Sequence, residues 1–256
     1  GLFNFYRYKM LAYQEWEALY NDGKLNAKQR QFFDSRGPEG LYDIDQDPHE
    51  VNDLSASPEH QEILAQMRQQ LQEKLLVLPD LSFYPEPYLL DHAPDNPVVF
   101  GQNNKDKIKE LMQVADLNLS RFEEVQEKIN QALKDDNPWK RYWGLVVCTS
   151  FGEKAKSLVP QIKNLLEQDD ENLVRTRALE YLLLNQESVD HRIVDTLLKN
   201  AKSETEANLI LNSLALVKSS RPQLKFNLSK EIFPSEWYDK PNDLVNRRMD
   251  HLIGNP

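Results

Sequence analysis

The chain has 256 residues and a formal net charge of −10, long enough for one large or two small domains with sizeable cores. The acidic balance argues against a nucleic-acid partner, which would need clustered Lys and Arg. No apolar run approaches the roughly twenty residues of a membrane span, and the single cysteine excludes an internal disulfide framework without fixing the compartment.

Eight glycines and fourteen prolines, beside abundant Leu, Glu, Lys and Gln, predict helices with prolines at the connections. The chain opens in an aromatic run, Leu2-Phe3-Asn4-Phe5-Tyr6, without a start methionine; that suits a piece of a longer protein, with Gly1 left from cloning. Two short helices are predicted in residues 1–36. The first carries Tyr13, Trp16, Leu19 and Tyr20 on one face and stops at Gly23. The second starts at Asn26, with Gln29 placed to return the capping bond, and presents Phe32 and Phe33. Leu41–Leu54, LYDIDQDPHEVNDL, reads as a short alternating strand (Leu41, Ile44) running into a turn at Asp47-Pro48. A second turn then starts a helix, with Ser57 as N-cap, Pro58 at N1 and Glu59 at the positive end. From Pro58 to about Leu76, the apolar positions Ile63, Leu64, Met67, Leu71 and Leu75 predict an amphipathic helix that must pack on something.

Residues 78–100 form a connector in which Pro79, Pro85, Pro87, Pro94 and Pro97 are expected to forbid regular helix. Its aromatics Phe83, Tyr84, Tyr88 and Phe100 predict a strap lying on a surface rather than a solvated linker. From Lys105 the pattern is helical and repeating. An apolar helix end leads into an acidic turn (Asp135-Asp136, then Asp169-Asp170), then into a helix whose first turn carries Arg141 or Arg175, 34 positions apart. A weaker third copy passes through Leu197-Leu198-Lys199-Asn200, with Asn208 near the arginine position. Each pair can bury one face only, so a stack of three or more is required. The tail from Arg221 to Pro234 reads as irregular. A last helix after Pro241, with Leu244, Val245, Met249 and Leu252 on one face, reads as a cap on the stack.

No catalytic, cofactor-binding or metal residue is predicted. Asp43, Asp45 and Asp47 imitate the start of an EF-hand loop, but Pro48 and Leu54 stand where that loop needs glycine and a bidentate glutamate. His49, His60, His92, His191 and His251 show no zinc-site spacing. His49 and Glu50 read as turn residues before acid–base ones, and Trp139, Tyr142 and Trp143 as core before a sugar-stacking platform. Cys148, after Leu145-Val146-Val147, reads as a packed thiol. Arg141 and Arg175 are expected to bond the acidic turns and helix ends of adjacent repeats.

Leu41, Tyr42, Asp43, Asp47, Pro48, Glu50 and Leu54 resemble the C-terminal end of type I sulfatases, closest with His49 to sulfamidase-like (heparan N-sulfatase-like) members; Asp53 stands where that family usually has Asn. Trp16–Phe33 also looks like an insertion of bacterial members, and the repeats, with Pro138–Gly144, resemble HEAT-like repeats that some bacterial sulfatases carry. The family's C/S-x-P-S-R signature is missing, because Cys148 is followed by Thr149, Ser150, Phe151 and Gly152. The resemblance implies a mainly α chain: a small α+β sulfatase C-terminal remnant (1–78), the connector (79–104) and a HEAT-like α-α superhelical stack (105–256). It implies that calcium and formylglycine belong to an upstream catalytic domain, which would be this chain's partner, with a protein or second subunit as a further one. A parent acting on glycans would be periplasmic or secreted. The alternative is a stand-alone helical-repeat scaffold for protein–protein interaction.

Overall fold

A computed structural model describes residues 10–239 and 243–254; the aromatic opening run and Pro241 lie outside them. The protein is mainly helical, with no strand among the described residues. It divides into two compact units that meet in sequence at Val77 and Leu78.

In the first unit, α1 (Leu11–Asn21) ends where Gly23 takes φ +69 and Lys24 donates its N–H back to the Leu19 carbonyl at 2.9 Å. The short α2 (Ala27–Arg30) carries a full capping box between Asn26 and Gln29. These turns bring Trp16 to 4.8 Å from Phe32 and Tyr20 to 4.8 Å from Phe33, forming an aromatic cluster. The strand expected at Leu41–Ile44 is absent. Leu41 accepts one backbone bond from Leu54 and gives its N–H to the Asp53 carboxylate, while Ile44 is 66% exposed. One crossing bond closes a loop but makes no ladder. Pro58 does open a 3-10 turn, but Ser57 turns its hydroxyl to His60 Nδ1 (2.9 Å) instead of capping the backbone. Then α3 (Gln61–Val77) follows. It buries Leu64 but leaves Ile63, Met67 and Leu71 exposed, and Arg68 pairs with Glu39.

The second unit begins with the connector, and here the prolines start helices instead of preventing them. Pro87 sits in the first turn of α4 (Glu86–His92) and Pro97 opens α5 (Pro97–Asn103), capped by Asn96. A proline in the first turn loses no hydrogen bond, because its N–H would be unpaired there. Then α6 (Lys105–Ala115), α7 (Phe122–Ala132), α8 (Pro138–Phe151), α9 (Val159–Gln168), α10 (Asn172–Leu184), α11 (Arg192–Lys199) and α12 (Glu204–Ser220) follow, and after an irregular stretch α13 (Leu244–Ile253). Alternate helices pack together: α6 on α8, α8 on α10, α10 on α12, with α13 against α12. In a second layer, α7 lies on α8, α9 on α10 and α11 on α12. One hydrophobic core runs between the layers, with Ile108, Leu111, Ile129, Leu145, Ile162, Leu182, Leu197 and Ile210 closed to solvent. Val245, Met249 and Leu252 of α13 join it, while Leu244 points out at 55% exposure.

Candidate functional site

Charged side chains join the turns of the second unit. Arg141 forks onto the Asp169 carboxylate at 2.6 and 2.8 Å and also donates to the Asp135 and Asp136 carbonyls at 2.8 and 3.1 Å. It thereby joins the acidic turn before its own helix to the next. Arg175 donates to the Leu166 carbonyl at 2.9 Å, closing the end of α9. Asn208, too short for that reach, keeps a buried amide oxygen with no protein partner. Asn172 instead carries the third junction, donating to the Leu197 carbonyl (3.0 Å) and to Glu206 (2.8 Å).

Sequence reasoning missed a second network. Arg177 of α10 donates to Glu180 at 2.7 Å, to Ser213 of α12 at 3.4 Å, and to the Tyr142 hydroxyl of α8 at 2.7 Å, with its guanidinium 5.0 Å from the Tyr142 ring centre. Burial works against the Arg177 charge, but Tyr142 and Glu180 outweigh it and hold its pKa above the usual arginine value. Its signal was the register: Tyr142 and Arg177 lie 35 positions apart, and Ser213 a further 36. These groups neutralise one another and tie three helices together; none is left as a free nucleophile or base.

The weighed residues do not converge. Asp43 accepts from the Asp45 and Gln46 N–H groups at 3.2 Å each, and buried Asp47 accepts from Asn52 at 2.7 Å. His49 and Glu50 are exposed, and Glu50 takes φ 50 in the turn. His60 bonds Ser57, His92 bonds the Tyr88 carbonyl and stacks on its ring, and His251 lies on α13 with its pKa lowered by burial and then by Lys218 and Arg248. His191 is exposed just before α11. Among the described residues no three His, Cys, Asp or Glu could hold a metal ion. Cys148 is closed to solvent, and burial pushes its thiol up to about 12. Cys148 is thus held as a packed thiol. Trp139 is buried and Trp143 donates its indole N–H to the Phe83 carbonyl at 2.8 Å, so both serve packing.

A cleft of about 460 Å³ lies between α9 and α11. Leu166, Leu182, Val189 and Ile193 line it, and Lys163 at its edge pairs with Glu187 at 3.0 Å. No helix among the described residues is long and apolar enough to cross a membrane.

The chain is similar to the ulvan-active sulfatase of Formosa agariphila, with 36% identity over 87 residues, which is 34% of this chain and 15% of that protein. The chain thus spans only a small part of that relative's length. No protein family and no solved structure matches it. The similarity supports a sulfatase-related region covering about a third of the chain.

Proposed function

We propose that this chain is the C-terminal, non-catalytic region of a sulfatase: a sulfatase-type segment up to about residue 78, followed by a HEAT-like helical module with a structural or partner-binding role. The similarity to the ulvan-active sulfatase carries this reading. The sulfamidase-like turn Leu41–Leu54, with Asp47 and Asp53 each accepting backbone N–H groups, supports it. The 34-residue register of Arg141 and Arg175 and the packing of alternate helices support the HEAT-like part. Calcium and formylglycine would belong to a catalytic domain upstream, in a periplasmic or secreted enzyme whose substrate is a sulfated glycan. The stack presents no run of Lys and Arg to hold such a polyanion, which favours a structural role.

The purified chain, assayed with an aryl sulfate and calcium, should give no turnover. Calcium-dependent turnover would overturn the non-catalytic assignment. Deleting residues 78–256 from the longer enzyme should lower its thermal stability or change its assembly while sparing a small sulfate ester's turnover. Loss of glycan turnover alone, with stability and assembly intact, would make the stack a substrate module.

A further inference from the structure

We propose that the junction between α10 and α12 is a joint: the last part of the stack, α11 to α13, opens there as one body while α6 to α10 stay packed. The inference stands on the geometry of the second unit and does not depend on the sulfatase reading.

Among the described residues of the second unit, the buried polar side chains are Asn172, Thr176, Glu180, Glu206 and Ser213, and all lie on α10 or α12. Asn172, Thr176 and Glu180 follow at four-residue spacing and so line one face of α10. Asn172 donates across to Glu206 at 2.8 Å, and Arg177 reaches Ser213 at 3.4 Å, so that face is turned to α12. The Asn172 amide oxygen is buried there with no protein partner, which leaves the face incompletely satisfied. By contrast, α8 buries Trp139, Leu145, Val147 and Cys148. Buried apolar area holds helices together whatever its partner, whereas a buried polar pair regains little beyond its lost hydration.

The second layer is open at the same junction. Gly152–Leu158, the link from α8 to α9, coils into a 3-10 turn that buries Ala155 and Leu158 and touches α7, α8 and α9. The link from α10 to α11, residues 185–191, is equally long but buries none of its side chains. It leaves α10 with Gln186 at φ 61, a left-handed conformation that disfavours residues other than glycine. The cleft lined by Leu166, Leu182, Val189 and Ile193 remains beside it. Beyond the joint, α13 belongs with α12: Lys218 donates to the His251 and Leu252 carbonyls at 2.8 Å each, and Arg248 to Asn212 at 2.5 Å. Two further ties cross the joint, a bond from Arg221 to the Leu183 carbonyl at 2.6 Å and the touch of α4 on α12. Where each helix pair touches only its neighbours, the weakest junction parts first.

The test is native-state hydrogen exchange of the full chain, read by mass spectrometry in urea below the unfolding transition. Amides of α11, α12 and α13 should share one opening and exchange at least about tenfold faster than those of α8 and α10, as a sub-global opening requires. Asn172→Ala removes the bonds to Leu197 and Glu206. It should speed exchange in α11 to α13 further and leave α8 unchanged. Val147→Ala, a truncation of a buried residue of α8, should speed exchange in α8 and leave α11 to α13 at the wild-type rate. Equal opening of α8, α10 and α12 in the wild type would overturn the proposal. So would fast exchange confined to α11, or a Val147→Ala effect that reaches α12 and α13 in full.

Discussion

Arg141 carries the turn-to-turn pairing of the stack. Its Asp169 partner has a side chain only 2% exposed, so removing the arginine leaves a carboxylate with neither water nor counter-charge. Such a loss costs about 3–5 kcal/mol, and Arg141→Ala should lower the urea midpoint accordingly. Arg141→Lys should recover little, since an ammonium cannot make two parallel bonds to Asp169 and also reach two carbonyls. Cys148 gives a signature at high pH. Its thiol is held neutral to about 12, whereas in the unfolded chain it ionises near its ordinary value of 9. Its contribution is thus fully present below about pH 9 and is lost as pH rises toward 12. Tyr84, also pushed up to about 12 by burial, adds to the same slope. Stability measured by urea should fall over that window, and Cys148→Ala should flatten the fall in part. The opposite sign holds for Asp53. Burial opposes its charge, but the Ser55 and Leu41 N–H bonds outweigh that and lower its pKa. Its contribution is present above the ordinary carboxylate value and is lost as pH falls from there through the lowered folded value. Asp53→Asn, which keeps the acceptor oxygen, should fold as well as wild type at neutral pH and lose that acid dependence.

At the scale of elements, helix existence was legible wherever periodicity and caps agreed, as at α1, α2 and the Arg141 and Arg175 helices. Expectation failed where a local signal had two outcomes. Leu41 and Ile44 alternate, but a strand needs a partner ladder, and Leu41 finds only Leu54 and Asp53. The connector prolines were read as breakers, yet at N1 and N2 the same missing N–H favours a helix. The apolar face of α3 was legible as a face, but its composition does not say what covers it, and Ile63, Met67 and Leu71 remain exposed. The Arg177 network was hidden because its members lie on three helices whose relative rotation no single window encodes. Gly144 marks a close approach in the stack: a Cβ there would meet Leu133 Cδ2 at 3.1 Å, and Leu133 is fully buried. Alanine would gain about 1 kcal/mol of helix propensity against an overpacking cost of about 1–3 kcal/mol. Gly144→Ala should therefore destabilise by about 1 kcal/mol in urea titration.

At the scale of the whole molecule, the boundary of the helical unit separates two ways of reading the connector. Sequence composition set the stack apart at Lys105, because the prolines and aromatics before it look unlike the repeats. Packing places the boundary at Leu78, since Tyr84 belongs to the buried core and Phe83, Tyr88, Leu89 and Phe100 pack against it. A chain beginning at Lys105 would expose Trp139 and Trp143 and leave the indole N–H of Trp143 without its Phe83 carbonyl. Burying an aromatic side chain is worth roughly 1.5–3 kcal/mol, so losing several such contacts would remove much of a domain's usual margin of about 5–15 kcal/mol. Residues 78–256 should therefore unfold in one sharp transition with blue-shifted tryptophan emission. Residues 105–256 should melt many degrees lower, emit further to the red and bind a hydrophobic dye. Equal melting temperatures for the two pieces would show that residues 78–104 add nothing to the stability of the helices after them.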